Sequence, residues 1–188
     1  MDQELLGKLL IASPGLEDIR FRNSVVLICE HSTEATMGLI LNKPLNNFNT
    51  FKLFDNVRLN DKSTLNNKTT FFGGPVHINQ GFIIHSNDKQ YSTSETVSKE
   101  VMLTTSDEIL KDISEGLPPT KTKICLGCAV WNKDQLNNEI LDNSWIISNS
   151  KLELVFYNNN DKEVSLWNRS LKDIGINPDK LVTYSGKA

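Results

Sequence analysis

The segment that decides the fold runs from Ser24 to Leu41 and reads SVVLICEHSTEATMGLIL. It holds two short apolar runs, from Ser24 to Glu30 and from Met37 to Leu41, the first of them rich in β-branched residues. A short polar link joins the two runs. This pattern predicts two strands connected as a β-hairpin. We therefore expect antiparallel pairing near the start of the chain.

Further short apolar runs on both sides of this hairpin predict additional strands. They cover about residues 5–12, 69–72, 81–85, 101–104, 122–130, 144–148 and 152–157. The segment from Asn42 to about Asn67 is rich in Asn, and we expect a short helix or an irregular excursion there.

Three helices are predicted, mostly in the C-terminal half. The first begins at a capping box of Thr105 with Glu108, and the second at Asn132 as the N-cap with Gln135 three positions later. The third follows from apolar residues at helical spacing after Val164. Strands early in the chain and mixed elements later favour an α+β fold with substantial antiparallel pairing.

Length and charge limit the classes to which the protein can belong. With 188 residues we expect one domain over 1–188, with an ordered core from about 5 to 176. The 20 Lys and Arg against 23 Asp and Glu give a net charge of −3, which offers no general attraction to DNA or to anionic membranes. No apolar run is long enough to span a membrane, and the acidic start is unlike a signal peptide, so we expect a cytoplasmic protein.

The three cysteines are Cys29, Cys125 and Cys128. A sparse, odd number in a chain without an export signal predicts reduced thiols. Cys125 and Cys128 form a C-x-x-C pattern within an apolar strand, where positions i and i+3 face opposite sides of the sheet. We therefore expect their sulfurs to diverge and all three cysteines to be buried and structural.

Two histidines follow apolar strands: His31 comes after Glu30, and His85 ends the run from Phe82. Should these strands end on the same side of the sheet, both imidazoles and the Glu30 carboxylate would converge. Such a set suits general acid–base chemistry or a metal ion. The alternative is that the two histidines order loop ends by hydrogen bonding.

Two short motifs are candidates for anion binding. Asn42 and Lys43 stand at a strand end, where an amide and an ammonium could hold an anion, although Asn followed by Lys-Pro also simply ends a strand. Gly73 and Gly74, followed by Pro75, could bring backbone N–H groups to a phosphate or could form a tight turn between strands.

Two single residues complete the candidate ligand-binding set. Arg22 stands at the entrance of the predicted strand at 24–30 and could anchor a ligand carboxylate or an acid of the same protein. Glu139 follows the helix start at Asn132 and has no local structural role in the sequence. No nucleotide-binding or hydrolase motif is complete, and no metal or cofactor site is predicted.

Taken in order, these motifs resemble those of the YqgE/AlgH family of bacterial proteins. The resemblance runs from about residue 7 to about residue 175 and rests on FRNSV…EH at 21–31, GLILNKP at 38–44, GGPV at 73–76, GFIIH at 81–85 and GCAVWNKDQLNNEILDNSW at 127–145. Cys125 and Cys128 depart from the family pattern, which commonly has apolar or aromatic residues there, so a shared C-x-x-C function is not expected.

The resemblance implies a compact single domain with coiled sheets, a partly closed barrel-like core and a cytosolic location. It brings no reaction with it. Members are often described as transcriptional regulators, but this sequence has no DNA-binding motif, so we expect an indirect effect on transcription. Our leading hypothesis is a non-enzymatic protein that binds a small ligand or a protein partner through Arg22, His31, Asn42, Lys43, Gly73, Gly74 and Glu139. The alternative is a hydrolase or transferase that uses His31, His85 and Glu30.

Overall fold

The computed structural model describes residues 5–45, 68–157 and 164–178. These residues form nine strands: β1 (Lys8–Ala12), β2 (Val25–His31), β3 (Ala35–Ile40), β4 (Thr70–Phe72), β5 (Val76–Ser86), β6 (Glu95–Thr96), β7 (Val101–Thr104), β8 (Thr122–Asn132) and β9 (Trp145–Asn149). They also form four helices: α1 (Asp107–Ser114), α2 (Lys133–Leu141), α3 (Leu152–Val155) and α4 (Leu166–Asp173). Within the described ranges, no helix combines the length and apolar character needed to cross a membrane.

The predicted hairpin is confirmed as β2 and β3, which pair antiparallel with Val26 opposite Ile40 and His31 opposite Thr36. The register shifts between Ile28 and Glu30, so a β-bulge interrupts β2 just before its end. A bulge bends its strand and redirects the side chains beside it. It therefore sets the direction in which Glu30 and His31 leave the sheet.

One curled, half-barrel sheet contains all nine strands, in the order β6-β7-β5-β8-β3-β2-β1-β9, with β4 added beside β8. Every pairing is antiparallel except that of β4 with β8. The chain is therefore a single α+β domain with a partly closed barrel-like core, as the sequence and the family resemblance predicted.

Successive apolar side chains of β1 and β2 point alternately to the two faces of the sheet, and both faces are covered. Leu9 and Leu27 belong to the largest core cluster, which α3 and α4 cover, whereas Leu10 and Val26 belong to a second cluster, which α2 covers. A third, smaller cluster lies under α1. Burial on both faces explains why β2 has a continuous apolar run instead of strict alternation of apolar and polar residues.

Two of the predictions for single elements are wrong. Residues 152–157 were expected to form a strand, but Leu152–Val155 is the short helix α3. Its consecutive residues Leu154 and Val155 are both buried in the largest cluster, which a helical turn allows and an alternating strand does not. Helix α1 has Ser106 as its N-cap, without a side-chain cap bond, instead of the capping box expected at Thr105.

The expected divergence of Cys125 and Cys128 is also wrong. Both thiols are buried in the largest core cluster, together with Cys29, and all three are free. Gly127 lies between them with φ of 72° and interrupts the regular alternation of β8. The left-handed backbone at this glycine acts as one inserted residue, so positions 125 and 128 face the same side.

The expected helix or excursion between residues 42 and 67 lies mostly outside the described residues, which resume at residue 68.

Candidate functional site

Two clefts meet at the tip of the β2–β3 hairpin, and His31, Ser32 and Thr36 line both of them. The first, named here the acidic cleft, has a volume of about 450 Å³. Its functional side chains come from four strands of the sheet, β2, β5, β6 and β8: Cys29, Glu30, His31, His77, Glu95 and Cys128.

The second cleft, named here the basic cleft, lies between α2 and the sheet and has a volume of about 530 Å³. Four aliphatic side chains line it: Leu5, Leu136, Ile140 and Ile147. Its basic groups are Lys8, Lys133 and His31. The two clefts therefore share the His31 wall but carry opposite charge.

Electrostatics in the acidic cleft centre on Glu30. The Glu30 side chain is exposed, but the residues around it displace part of its hydration, which raises the pKa of Glu30. The nearby negative charge of Glu95 raises this pKa further. Of the described residues that line this cleft, none is Lys or Arg. Two carboxylates thus approach each other with no basic side chain of the lining to compensate them.

The thiols of the acidic cleft are poor nucleophiles. Burial raises the pKa of Cys128 to about 11, and the Glu30 carboxylate adds to the effect. Burial also raises the pKa of Cys29 well above its usual value. Because the thiolate is the reactive form, both side chains are inert as nucleophiles near neutral pH.

Three backbone irregularities surround the acidic cleft. One is the bulge in β2 before Glu30, and another is Gly127 beside Cys128. The third is His77, a non-glycine residue with φ of 49°, within the register shift of β5 between Val76 and Gly81. The positive φ is costly at His77 and not at glycine. Bulges and strained residues of this kind are frequent at functional sites, where they aim side chains.

His31 and His85 do not converge, so the condition on which the enzymatic alternative depended is not met. His85 pairs with Thr122 at the start of β8, whereas Thr36, the partner of His31, pairs with Trp131 near its end. This separation along β8 corresponds to about 30 Å at the rise of a strand. The set of His31, His85 and Glu30 is therefore not assembled, although His31 and Glu30 share the acidic cleft.

His85 has a structural environment. It is fully buried, and its Nδ1 lies 2.8 Å from the Ser86 carbonyl oxygen, which can only accept a hydrogen bond. Nδ1 therefore carries the proton, and in the neutral ring Nε2 accepts from the Thr104 hydroxyl at 2.8 Å. Burial lowers the pKa of His85, which favours this neutral form.

Asn42 and Lys43 fasten the loop that precedes β2. The Asn42 side chain accepts from the Val25 N–H at 3.0 Å and donates to the Asn23 carbonyl at 2.8 Å. The Lys43 ammonium donates to the Ile19 and Arg20 carbonyls at 3.1 and 2.7 Å. The structure thus gives both residues the strand-ending and loop-fastening contacts that the sequence left as an alternative.

Arg22 is exposed in the same loop and is not among the residues that line either cleft. Its charge lies near the Lys43 ammonium, whose pKa is lowered mainly by burial and in addition by Arg22.

Gly73 and Gly74 pack directly against β8. The Gly73 N–H donates to the Leu126 carbonyl at 2.8 Å, and a Cβ atom at Gly73 would lie 2.1 Å from the Gly127 oxygen. A Cβ atom at Gly74 would lie 2.2 Å from the Cys128 carbonyl carbon. These glycines allow close approach of two backbone segments, and the Gly73 N–H is already used within the protein.

Glu139 accepts hydrogen bonds from two indoles. Its Oε2 accepts from Trp131 Nε1 at 2.9 Å and from Trp145 Nε1 at 2.7 Å, while its Oε1 accepts from Gln135 Nε2 at 2.9 Å. The carboxylate joins α2 to β8 and β9 in this way. The sequence showed no local role for Glu139 because the two indoles that it joins come from β8 and β9, outside its own helix.

Sequence reasoning missed His77 and Glu95, which complete the acidic cleft, and Lys8, Lys133 and Ile147, which form the basic one. A signal was available for Ile147 only, which is an apolar residue of the strand predicted over about 144–148. Across the described ranges, no three His, Cys, Asp or Glu side chains are grouped so that they could hold a metal ion.

Comparison with known proteins matches residues 9–179 to the family described as AlgH-like. A UPF0301 protein of Paracoccus denitrificans is 34% identical over a 193-residue alignment that covers 100% of both chains. The UPF0301 protein YqgE of Shigella boydii is 35% identical over 183 residues, covering 95% of both chains.

Two solved structures share the fold. The solution structure of AlgH from Pseudomonas aeruginosa superposes with a TM-score of 0.76 at 27% identity and covers 98% of this chain and 96% of its own. A crystal structure of a protein from Corynebacterium diphtheriae has a TM-score of 0.70 at 21% identity, with 96% and 91% covered, which shows the fold alone.

Proposed function

The chain belongs to the AlgH-like family, as the order of its motifs predicted, and we propose that it is a non-enzymatic binding protein for a ligand with an ammonium or guanidinium group. The ligand binds in the acidic cleft, with its cation between Glu30 and Glu95. His31 and His77 lie beside it and contact the uncharged part of the ligand.

The observation that carries this proposal is the environment of the two carboxylates. Glu30 is exposed at the cleft. The residues around its carboxylate still displace part of its hydration, and Glu95 adds like-charge repulsion, so the ionised form of Glu30 is disfavoured in the free protein. A cation between the carboxylates removes the repulsion and restores the ionised state. Binding energy is thus available to a positively charged ligand and not to a neutral or negative one.

The remaining groups of the cleft favour ligand binding over catalysis. The thiols are held in their unreactive neutral form by burial. His85, which the enzymatic hypothesis required, lies at the other end of β8. The strained backbone at His77 supports a preformed ligand site, because strain of this kind persists only where the surrounding structure enforces it.

Titration of the protein with butylammonium tests the proposal, with butanol as the uncharged analogue. We expect saturable amide shifts around the acidic cleft for butylammonium only, observed by NMR. The double variant Glu30→Gln, Glu95→Gln should weaken binding by about tenfold or more, because each lost charge–charge contact is worth about 1 kcal/mol. Binding should also strengthen as the pH rises through the raised pKa of Glu30.

Glu34→Gln is the matched control, since Glu34 is exposed in the same hairpin and does not line the cleft. Equal binding of butanol and butylammonium, or equal loss of affinity in the control, would contradict the proposal.

We also propose that any effect on transcription passes through this ligand and not through contact with DNA, and that the protein works in the cytoplasm. The net charge of −3 supports the first point, and the three free cysteines support a reducing compartment. Electrophoretic mobility of duplex DNA should stay unchanged by the protein even at low salt, where phosphate contacts are strongest.

A further inference from the structure

We propose that the basic cleft is a second binding site, for an aliphatic carboxylate, independent of the acidic cleft and of its cationic ligand. The juxtaposition that carries the proposal is an apolar floor beside two lysines, in a cleft between α2, β1 and β9.

The floor suits a hydrocarbon chain. Leu136 and Ile140 project from successive turns of α2, and Ile147 lies opposite Leu10 in the β1–β9 pair. Ile147 is 42% exposed, so an apolar surface is accessible to a ligand. A volume of about 530 Å³ lies within the range of small-molecule sites, which combine apolar walls with a few placed polar groups.

The charge of the cleft selects an anion. Lys8 and Lys133 contribute two ammonium groups, and none of the described lining residues carries a carboxylate. The Lys8 ammonium donates to the neutral Asn149 amide oxygen at 2.5 Å, a contact that positions the cation without cancelling its charge. Lys133 is the first residue of α2, at the positive end of the helix dipole. The one acidic residue of that turn, Asp134, is not among the residues that line the cleft.

The two clefts carry opposite charge, which supports a different ligand for each cleft. Glu30 and Glu95 lie on the acidic side of the His31 wall, whereas both lysines lie on the other side. A ligand with a carboxylate and an alkyl chain is favoured in the basic cleft by charge and by burial of its chain, and it is repelled from the acidic cleft.

Octanoate and octylammonium, titrated into the intact protein by calorimetry and NMR, test this inference. They have the same alkyl chain and opposite charge. We expect saturable octanoate binding with amide shifts in α2, β1 and β9, and at least about tenfold weaker binding of octylammonium at these residues. Higher ionic strength should weaken octanoate binding.

Two matched pairs of variants locate the site. Ile147→Asp adds a carboxylate to the cleft and should weaken octanoate binding by about tenfold or more, whereas Leu141→Asp, on an exposed residue of α2 outside the lining, should not. Lys8→Gln should weaken binding, and Lys121→Gln, exposed and outside the lining, should leave it unchanged.

Equal affinity for both probes at this cleft, shifts confined to other surfaces, or the absence of saturable octanoate binding would each overturn the inference. The outcome is separate from that of the proposed function. Glu30→Gln, Glu95→Gln should weaken butylammonium binding by about tenfold or more and leave octanoate binding intact, so failure of one site does not imply failure of the other.

Discussion

Lys123 is a cation buried in the middle of the molecule, only 3% exposed. Its Nζ donates to the carbonyl oxygens of Leu41 and Tyr157, both at 3.0 Å, and lies 4.6 Å from the centre of the Phe71 ring. No described carboxylate forms an ion pair with it. Burial therefore lowers its pKa from 10.5 to about 8.

This shift predicts how stability changes with pH. Above pH 8 the folded protein loses the Lys123 proton while the unfolded chain keeps it up to about pH 10.4, so deprotonation favours the folded state in this window. The unfolding free energy of the wild type, minus that of Lys123→Met, should rise from pH 8 to pH 10 by up to about 3 kcal/mol. Urea denaturation at several pH values measures it.

Taking the difference between the two proteins cancels the opposite contribution of the buried thiols, whose raised pKa makes stability fall with pH. A flat difference would contradict the prediction. Because Lys123→Met leaves two carbonyls without a donor, NMR titration of the Lys123 side chain in the wild type gives a second test, with an expected midpoint near pH 8.

Removal of the Glu139 carboxylate should lower the stability of the protein without weakening ligand binding. Glu139→Ala leaves the Trp131 and Trp145 indole N–H groups, both in buried rings, without their acceptor. We expect the unfolding free energy to fall by about 2–4 kcal/mol, and by less in Glu139→Gln, which keeps one acceptor oxygen. Urea denaturation followed by tryptophan fluorescence measures the effect, and affinity at both clefts should stay unchanged in the folded variant.

At the scale of elements, the N-caps of α1 and α2 differ in how much they stabilise their helices. Asn132 Oδ1 accepts from the Gln135 N–H at 2.8 Å at the start of α2, as the sequence predicted, whereas the Ser106 side chain caps nothing at the start of α1 and its hydroxyl is buried without a partner. The side chain of Gln135 turns to Glu139 instead of completing a capping box.

The two caps give a matched comparison. Asn132→Ala should destabilise the protein by about 1 kcal/mol, because an N–H of the first turn loses its acceptor. Ser106→Ala should change stability by less than half of that, since no cap bond is lost. Thermal denaturation of both variants is the measurement, and an equal cost would show that the hydrogen bond of Asn132 contributes little.

The segment before β5 contacts the backbone in the middle of β8. This contact predicts that Gly74 cannot be replaced by a residue with a side chain. A Cβ atom at Gly74 would overlap the Cys128 backbone at 2.2 Å, so Gly74→Ala should cost about 3 kcal/mol or more, or prevent folding. Gly81→Ala is the control in β5, because nothing lies within 4 Å of its Cβ position. Equal yield and denaturation midpoint of the two variants would contradict this account.

At the scale of the whole molecule, β8 connects the two halves of the sheet. It pairs with β3 on one side and with β5 on the other, and it also carries β4. The apolar core continues from the hairpin through β8 to β5, since Leu27, Cys125 and Phe82 share one cluster. Neither half can therefore separate without exposing core residues.

We expect the chain to unfold as one cooperative unit for this reason. Tryptophan fluorescence reports the local packing of three residues, with Trp131 and Trp145 in the cluster that α2 covers and Trp167 in the largest cluster. Far-ultraviolet circular dichroism reports the secondary structure of the whole sheet. The two urea transitions should coincide within error. A separate transition for either probe would instead divide the chain into two units.

Local features of the sequence predicted much of this fold. Apolar runs marked most of the strands because each strand buries its own side chains, and Asn132 marked the start of α2 because a cap acts within three residues. The strand prediction for residues 152–157 failed because their apolar content fits a strand as well as a helix. Only burial of Leu154 and Val155 on one side decides between them.

The candidate site was predicted in part, through His31 and Glu30. Their strand position was visible, but the residues opposite them were not, because His77 and Glu95 reach the cleft through the curl of the sheet and a strained backbone. Glu139, Asn42 and Lys43 looked available for ligands because contacts outside their own elements occupy them, the indoles of Trp131 and Trp145 in the case of Glu139.

The sequence by itself determined the family, the α+β class, the hairpin and the helix start at Asn132, since these depend on order, periodicity and contacts within a few residues. Tertiary structure alone decided which charges share a cleft and which way Cys128 faces. Charge pairing depends on distances in space, and the direction of Cys128 depends on a bulge at Gly127 that close backbone packing requires.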